Sequence, residues 1–245
     1  MGHRVTTLNV NTIEPAGSTL TIGASGDTVV ATDSVNVNTV KDAGGNTLWV
    51  SNGSGTLSSV NSGLGDSLKL ISSQTADDDA SVSFTSGIDS SYKEYIFKFY
   101  EINPATNSTN FTFQCSTDGG SNYNTTVTST AFWAYNNENG TDTLLGYNTS
   151  IDQAQGTAYQ PLASGVGSGA DEATAGELHL FNLSSTTYVK NWYSTQTTIS
   201  GDTPTYDYFV KTAGYFNTTS AINAIRFQFA SGNINEGTIM MYGVL

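Results

Sequence analysis

Apolar and polar residues alternate along most of this chain with a period of two, which is typical of half-buried β-strands. The clearest case is residues 93–102, where Tyr95, Phe97 and Phe99 share one face and the intervening residues share the other. Further strands are predicted, separated by turns rich in Gly, Asn and Ser, at 67–72, 110–116, 126–135, 143–147, 177–182, 187–199, 205–216, 221–229 and 237–244. Helical periodicity is confined to one expected turn near residues 151–155.

About ten strands in roughly 180 residues predict an all-β chain that ends in an antiparallel, jelly-roll-like β-sandwich. The sequence from Asp118 to Ser121 is a good signal for a hairpin turn. Residues 77–79, three consecutive aspartates, are predicted to form a charged turn. Residues 163–175 are rich in Gly, Ser and Ala and predict an exposed loop.

The N-terminal segment contains a near-repeat, in which residues 10–22 are echoed by residues 37–50. Each copy predicts two short strands followed by a turn of glycine and small polar residues. A module of this size has too few apolar residues to bury its own face, so neighbouring modules or other subunits must complete it.

The chain is predicted to have two parts, residues 1–62 and residues 66–245. The first part contains one Trp and neither Phe nor Tyr, so it is interpreted as an extended anchoring or oligomerisation segment. Glycine and small polar residues interrupt the alternation at residues 60–66. The second part carries the remaining aromatic residues and is the predicted sandwich.

Charge excludes several classes of partner. The chain of 245 residues has a formal net charge of −13 with only eight Lys and Arg, so it would repel nucleic acid and anionic lipid. No apolar run has the length of a membrane helix, and no membrane insertion is expected. Charged residues make up only 12% of the chain, about half the usual share; turn and sheet-surface residues take their place.

The single cysteine, Cys115, excludes an internal disulfide framework and any zinc site built from several cysteines. Its flanking residues, Gln114 and Ser116, belong to a predicted strand. A small buried thiol is therefore favoured over a nucleophile.

Several segments of the chain resemble structural proteins of marine bacteriophage virions, of the tail-fibre or appendage type. The similar segments are residues 8–29, 92–97, 116–123, 222–227 and 237–244. They consist of strands and turns, so the resemblance transfers no active-site residue. It implies a protein on the exterior of the virion, on tail or capsid, made in the host cytoplasm. It also implies a homotrimer whose N-terminal segment binds other virion proteins.

Catalytic chemistry has little support in the sequence, and no enzymatic activity is expected. The two histidines are His3, in the anchoring segment, and His179, whose neighbours Leu178 and Leu180 point to the opposite face. All the candidate carboxylates except Asp207 lie in predicted turns, where Asp is expected for backbone reasons. The candidates are residues 77–79, Asp118, Asp142, Asp152, Asp171, Glu172 and Asp207. The aspartates of residues 77–79 lack the spacing of an EF-hand, so neither a metal nor a cofactor is predicted.

Aromatic clusters are the best candidates for ligand binding. The candidates are Trp133, Tyr135, Trp192, Tyr193, Tyr206 and Tyr208. Aromatic faces can stack on sugar rings, with Asn136 and Asn137 available to bond hydroxyl groups. The alternative is that these rings fill the core or pack against a second subunit, and both interpretations remain open at this point.

Three functional hypotheses follow. The first is a non-enzymatic tail fibre that displays the sandwich for attachment to host-surface glycan, gaining avidity from symmetry. The second is a capsid decoration or head-fibre protein whose N-terminal strands add to an edge of the capsid protein. The third is a spike that cleaves glycan through paired carboxylates.

Overall fold

The computed structural model describes residues 37–42, 44–60 and 67–244. These residues form strands, turns and bends without a helix, which confirms the predicted all-β class; the helical turn expected near residues 151–155 is absent from this part. The chain divides into two units, Met1–Leu64 and Gly65–Leu245. The division falls within residues 60–66, where the alternation is interrupted.

The N-terminal unit contains a three-stranded antiparallel sheet of β1 (Thr39–Lys41), β2 (Thr47–Ser51) and β3 (Leu57–Val60), in that order. β1 and β2 are the second copy of the sequence repeat; the first copy, residues 10–22, lies outside the described residues. The turn between them is closed by Asp42, whose carboxylate accepts hydrogen bonds from the backbone and side-chain nitrogens of Asn46 at 2.8 and 2.9 Å. These bonds lower the pKa of Asp42. Sequence reasoning missed β3, which has only two apolar residues.

The described residues of the second unit, 67–244, form twelve strands. In chain order they are β4 (Leu68–Asp79), β5 (Val82–Phe84), β6 (Glu94–Pro104), β7 (Thr109–Ser116), β8 (Val127–Asn137), β9 (Thr143–Tyr147), β10 (Gln160–Val166), β11 (Thr174–Phe181), β12 (Lys190–Ile199), β13 (Tyr206–Phe216), β14 (Ala224–Phe229) and β15 (Ile234–Val244). The larger sheet has eight strands in the order β4-β15-β6-β11-β12-β13-β8-β9, and the smaller has four in the order β10-β7-β14-β5. The two sheets pack face to face as a β-sandwich.

Phenylalanine rings fill the space between the sheets. Phe227 of β14 lies at the centre, with its ring centroid 5.2 Å from those of Phe97 and Phe99 on β6. Tyr95, Phe97 and Phe99 are all buried, which confirms the face that their alternation predicts. Cys115 is buried in the same core, as predicted, and burial raises the pKa of its thiol.

Two strands of the smaller sheet were missed by sequence reasoning. β5 has only three residues, which is too few to show an alternation. β10 covers part of the segment predicted as an exposed loop, and that prediction is wrong because Ala163 and Val166 are fully buried. The pairing of β10 with β7 shifts register twice, and these irregularities hide the alternation in the sequence.

The predicted hairpin at Asp118 is also wrong, although the turn itself is present. The Asp118 carboxylate accepts hydrogen bonds from the Ser116 hydroxyl and from the backbone nitrogen of Asn122, at 2.6 and 2.9 Å. However, β7 pairs with β10 and β14, whereas β8 pairs with β13 and β9. The turn therefore carries the chain from one sheet to the other.

The aspartates of residues 77–79 belong to the end of β4 rather than to a turn. Asp77 lies opposite Glu236 and Asp79 lies opposite Ile234 on β15. Asp78 has a positive φ of 56°, and its carbonyl and carboxylate oxygens accept hydrogen bonds from Nδ2 of Asn233. Pairing with a long partner strand thus outweighs the turn preference of aspartate.

Candidate functional site

Four of the six predicted aromatic residues come together on two neighbouring strands. Trp133 and Tyr135 lie on β8, and Tyr206 and Tyr208 lie on β13, with Tyr208 directly opposite Tyr135. Tyr208 is buried and the other three are half-buried. We refer to these four side chains as the four-ring cluster.

Tyr208 is the central ring of the four-ring cluster. Its ring stacks on those of Trp133 and Tyr206, with centroids 5.2 and 5.6 Å apart. Tyr135 meets all three other rings edge to face at 5.4 to 5.8 Å. Such stacked and edge-to-face pairs add stability beyond the area they bury.

Two carboxylates hold the phenol groups at the edge of the cluster. The Tyr208 hydroxyl donates to Asp202 at 2.8 Å, and the Tyr206 hydroxyl donates to Asp142 at 3.0 Å. Burial, followed by the hydrogen bond to Asp202, raises the pKa of Tyr208. For Tyr206 the hydrogen bond to Asp142 is the main cause of a raised pKa. Both phenols therefore stay neutral, and Asp142 remains exposed to solvent.

A small satellite core supports the four-ring cluster. Ala131, Ile151 and Val210 are buried beneath it. The buried side chain of Gln160 donates to the Ile151 carbonyl at 2.8 Å and accepts from the Ser129 hydroxyl at 2.7 Å. This polar network fixes the segment around Ile151 against β8. The cluster consequently has a rigid base.

The predicted amide partners have different environments. Asn137 is buried, and its side chain bonds the backbone nitrogen and hydroxyl of Thr141 at 2.9 and 3.0 Å. It closes the turn between β8 and β9 and is already satisfied. Asn136 is exposed but points to the opposite face of the strand, because neighbouring strand residues alternate. Asp142 and Asp202, rather than the two asparagines, provide the polar groups beside the aromatic rings.

Trp192 does not belong to the cluster. It is only 2% exposed and packs edge to face on Phe113 at 5.1 Å. Gly214, its neighbour on β13, makes room for the indole, because a Cβ there would lie 2.9 Å from Cζ2 of Trp192. For this residue the core interpretation holds and the ligand interpretation is wrong.

Tyr193 lies on the opposite face of the larger sheet, stacked on His179 with ring centroids 4.5 Å apart. Nδ1 of His179 shares a hydrogen bond of 2.6 Å with Oε1 of Glu94. Nε2 lies 3.2 Å from Oε1 of Glu177 but outside hydrogen-bonding geometry. The described contacts of this imidazole include no hydroxyl or thiol nucleophile. Its one described hydrogen bond holds the Glu94 carboxylate on the sheet surface.

The other candidate carboxylates have separate partners. Asp152 accepts from the Tyr147 hydroxyl at 2.6 Å, and Asp207 accepts from the Thr197 hydroxyl at 3.3 Å. Glu172 accepts from the backbone nitrogen of Gly169 at 2.6 Å. Across the described residues, no group of three or more His, Cys, Asp or Glu is arranged to hold a metal ion.

A second exposed set of rings was missed by sequence reasoning. The larger sheet exposes Tyr100, Phe132, Tyr147 and Phe209 on the face that carries Tyr193. The signal was available, because aromatic residues at consecutive positions, such as Phe132 with Trp133 and Tyr208 with Phe209, must place rings on both faces of a strand. We call this surface the outer face.

Within the described residues there is no helix with the length and apolar character needed to cross a membrane. Comparisons of the chain with protein-family models, with curated proteins and with solved structures find no match.

Proposed function

We propose that this chain is a non-enzymatic structural component of a bacteriophage virion, a short fibre-like appendage whose sandwich contacts the host surface. The observation that supports it best is the four-ring cluster, a rigid group of half-buried Trp and Tyr rings edged by carboxylates. Aromatic faces pack against the C–H faces of sugars, and the oxygens of Asp142 and Asp202 can accept hydrogen bonds from sugar hydroxyls. The ligand class is therefore host-surface glycan.

Adhesion through such a cluster would be weak for each copy. A few stacked rings and two carboxylates bury little area, and sugar hydroxyls must be desolvated. Several copies on one particle would bind together and gain avidity without new contacts. A tail fibre, placed at the point where the particle meets its host, suits this mode of binding.

The N-terminal unit favours capsid decoration as a second candidate. Its described strands have only three to five residues, so the described part contributes a short sheet rather than a long shaft. Among the described strands, β1 and β3 lie at the two ends of that sheet, and an edge strand can pair with a strand of another protein. This mode of attachment would fix the sandwich to a capsid surface.

Location and copy number separate the two placements. We expect quantitative mass spectrometry of particles purified from the encoding phage to detect the chain, and antibody labelling to locate it. A copy number of a few dozen with label on the tail supports the fibre, and hundreds of copies over the head support decoration. Absence from purified particles would contradict both.

Glycan binding is tested with the full chain on immobilised bacterial surface polysaccharides. Trp133→Ala removes the ring that stacks on Tyr208 and should weaken binding about fivefold, since a stacking contact is worth about 1 kcal/mol. Tyr188→Ala is the matched control, because Tyr188 is 71% exposed in the loop before β12. Equal loss in both variants, or release of new reducing ends from the polysaccharide, would overturn the non-enzymatic adhesin.

A further inference from the structure

The outer face of the larger sheet carries aromatic side chains where a solvent-facing antiparallel sheet ordinarily carries polar ones. One ring is exposed on each of five strands: Tyr100 at 44%, Phe132 at 45%, Tyr147 at 55%, Tyr193 at 40% and Phe209 at 40%. Polar side chains such as Lys211 and Thr195 lie between some of these rings. Five exposed aromatic rings on one sheet face nevertheless exceed the isolated apolar residues of an ordinary surface and mark an interaction site.

The rings stand beside shallow hollows. One hollow, of about 380 Å³, lies between Tyr100 and Phe209 and is floored by Ala175 and Thr197. A second, of about 190 Å³, lies between Phe132 and Tyr193 and is floored by Ala213 and Thr130. Small residues thus alternate with large rings, so the face presents both projections and recesses of aromatic size.

The charges on this face permit a second copy of the chain to cover it. The chain has a formal net charge of −13, so two copies repel each other over most of their surfaces. On the outer face, Lys98 lies directly opposite Glu177, and His179 bonds Glu94. Lys211 adds a further positive charge 6.0 Å from the Phe209 ring. The exposed Asp207 lies on the same face as Phe209, so two lysines stand beside three carboxylates. This small imbalance leaves a second copy able to approach the face.

The size of the face is also sufficient. Eight strands spaced about 4.8 Å apart span about 34 Å, and about seven residues along each strand span about 23 Å. The resulting area is on the order of 800 Å², which is the area that each partner contributes to a stable interface of standard size.

We propose that the outer face is covered in solution by the same face of a second copy of this chain. In such a two-fold arrangement each copy contributes identical rings and hollows, so that an exposed ring of one can enter a hollow of the other. The pairing leaves the four-ring cluster, on the inner face of the same sheet, outside the interface. This inference stands independently of the proposed attachment function.

Sedimentation equilibrium of the full chain over a wide concentration range tests the pairing. We expect a dimer, and we expect Phe209→Lys to raise its dissociation constant at least about 30-fold, the effect of losing a central interface anchor. Phe132→Lys, on the neighbouring strand, should do the same. Tyr188→Lys adds the same charge at a more exposed ring, in the loop before β12 rather than on a strand of this sheet, and should leave the constant unchanged.

Thermal unfolding of each variant separates loss of association from loss of fold. Both outer-face rings are at least 40% exposed, so each monomer should keep its fold, and if one variant unfolds the other decides. A monomer at every concentration, a trimer, or a dimer that neither substitution weakens would overturn the proposal. Outer rings that are protected only when polysaccharide is added would overturn it too, in favour of a glycan on this face.

Discussion

The inner side of the larger sheet contains two groups of aromatic rings that are built differently. Beneath the smaller sheet, the rings around Phe227 are almost all phenylalanine, and Phe97, Phe111 and Phe113 are fully buried. On β8 and β13, the four-ring cluster consists of Tyr and Trp, and only Tyr208 is buried.

The difference shows that the type of aromatic residue depends on whether the smaller sheet covers the ring. A phenol or indole buried between two sheets needs a hydrogen-bond partner, and a phenylalanine does not. Tyr95 and Trp192 are the exceptions in this core. The Tyr95 hydroxyl bonds the backbone nitrogen and carbonyl of Asp89 at 2.8 and 3.0 Å, whereas Nε1 of Trp192 is buried without a hydrogen-bond partner, a cost that a phenylalanine would avoid. Where the second sheet ends, carboxylates such as Asp202 can reach the rings. Tyr and Trp are therefore favoured there.

The largest effect is expected from Phe227→Ala in the phenylalanine core. The ring centroid of Phe227 lies within 6.3 Å of five other phenylalanine rings, so truncation leaves a cavity that its neighbours cannot fill. We expect the free energy of unfolding to fall by about 3–5 kcal/mol, measured by urea denaturation.

The reactivity of the Cys115 thiol gives an independent measure of the opening of this core. Its thiol is fully buried and its pKa is raised by burial, so a thiol reagent should label it only after the core opens. Phe227→Ala should speed this labelling by at least about 100-fold. Labelling at the wild-type rate would mean that the core is less cooperative than its packing indicates.

Much of this fold could be predicted from local pattern. The alternation of Tyr95, Phe97 and Phe99 fixed a strand and its buried face, and β9 was predicted with its observed bounds. What local pattern could not supply was which strands lie under the second sheet. Trp133 and Trp192 both occur in alternating segments, yet only Trp192 lies under that cover.

The irregular strand β10 was hidden for a related reason. This strand is stabilised by burial against partners that are distant in sequence. Its small residues do not form a pattern that predicts a strand. Tyr193 shows the converse case. Because Tyr193 follows Trp192 in the same strand, the sequence predicts that the two side chains lie on opposite faces. The sequence does not predict what the face with Tyr193 contacts.

Truncation of the four-ring cluster should cost less than truncation of the core. Trp133 is half-buried, so Trp133→Ala should lower the free energy of unfolding by about 1–2 kcal/mol, below the range of a fully buried ring. The comparison with Phe227→Ala by urea denaturation is direct. Equal losses would show that the cluster is as much a part of the cooperative core as Phe227, and the distinction between the two groups would fail.

Alkaline pH should act on the four-ring cluster through its phenols. The pKa of Tyr208 is raised by burial and by Asp202, so above about pH 10 the unfolded chain loses this proton before the folded chain does. The stabilisation is complete below pH 10 and declines as pH rises above it.

Tyr208→Phe isolates that contribution. It should cost about 1 kcal/mol at neutral pH, because Asp202 loses a hydrogen bond, and it should flatten the alkaline decline in the unfolding midpoint. Tyr188→Phe, at an exposed ring, is the control. An unchanged alkaline slope in Tyr208→Phe would assign the decline to other tyrosines such as Tyr95, whose pKa burial also raises.

The smallest effect is expected at the turn that links the two groups, since β7 belongs to the phenylalanine core and β8 carries the four-ring cluster. Hydrogen bonds from Ser116 and Asn122 lower the pKa of Asp118 to about 2. A carboxylate whose pKa is depressed stabilises the fold above its unfolded pKa of about 3.8 and loses that contribution as pH falls towards 2. Asp118→Asn should therefore lower the unfolding midpoint slightly at neutral pH and reduce its fall between pH 4 and 2. Asp171→Asn, at another exposed turn aspartate, is the matched control. If Asp118→Asn changed the acid response no more than Asp171→Asn does, the hydrogen bonds of this turn would contribute nothing measurable to stability, and the strand pairing of β7 and β8 alone would hold the two groups of rings in place.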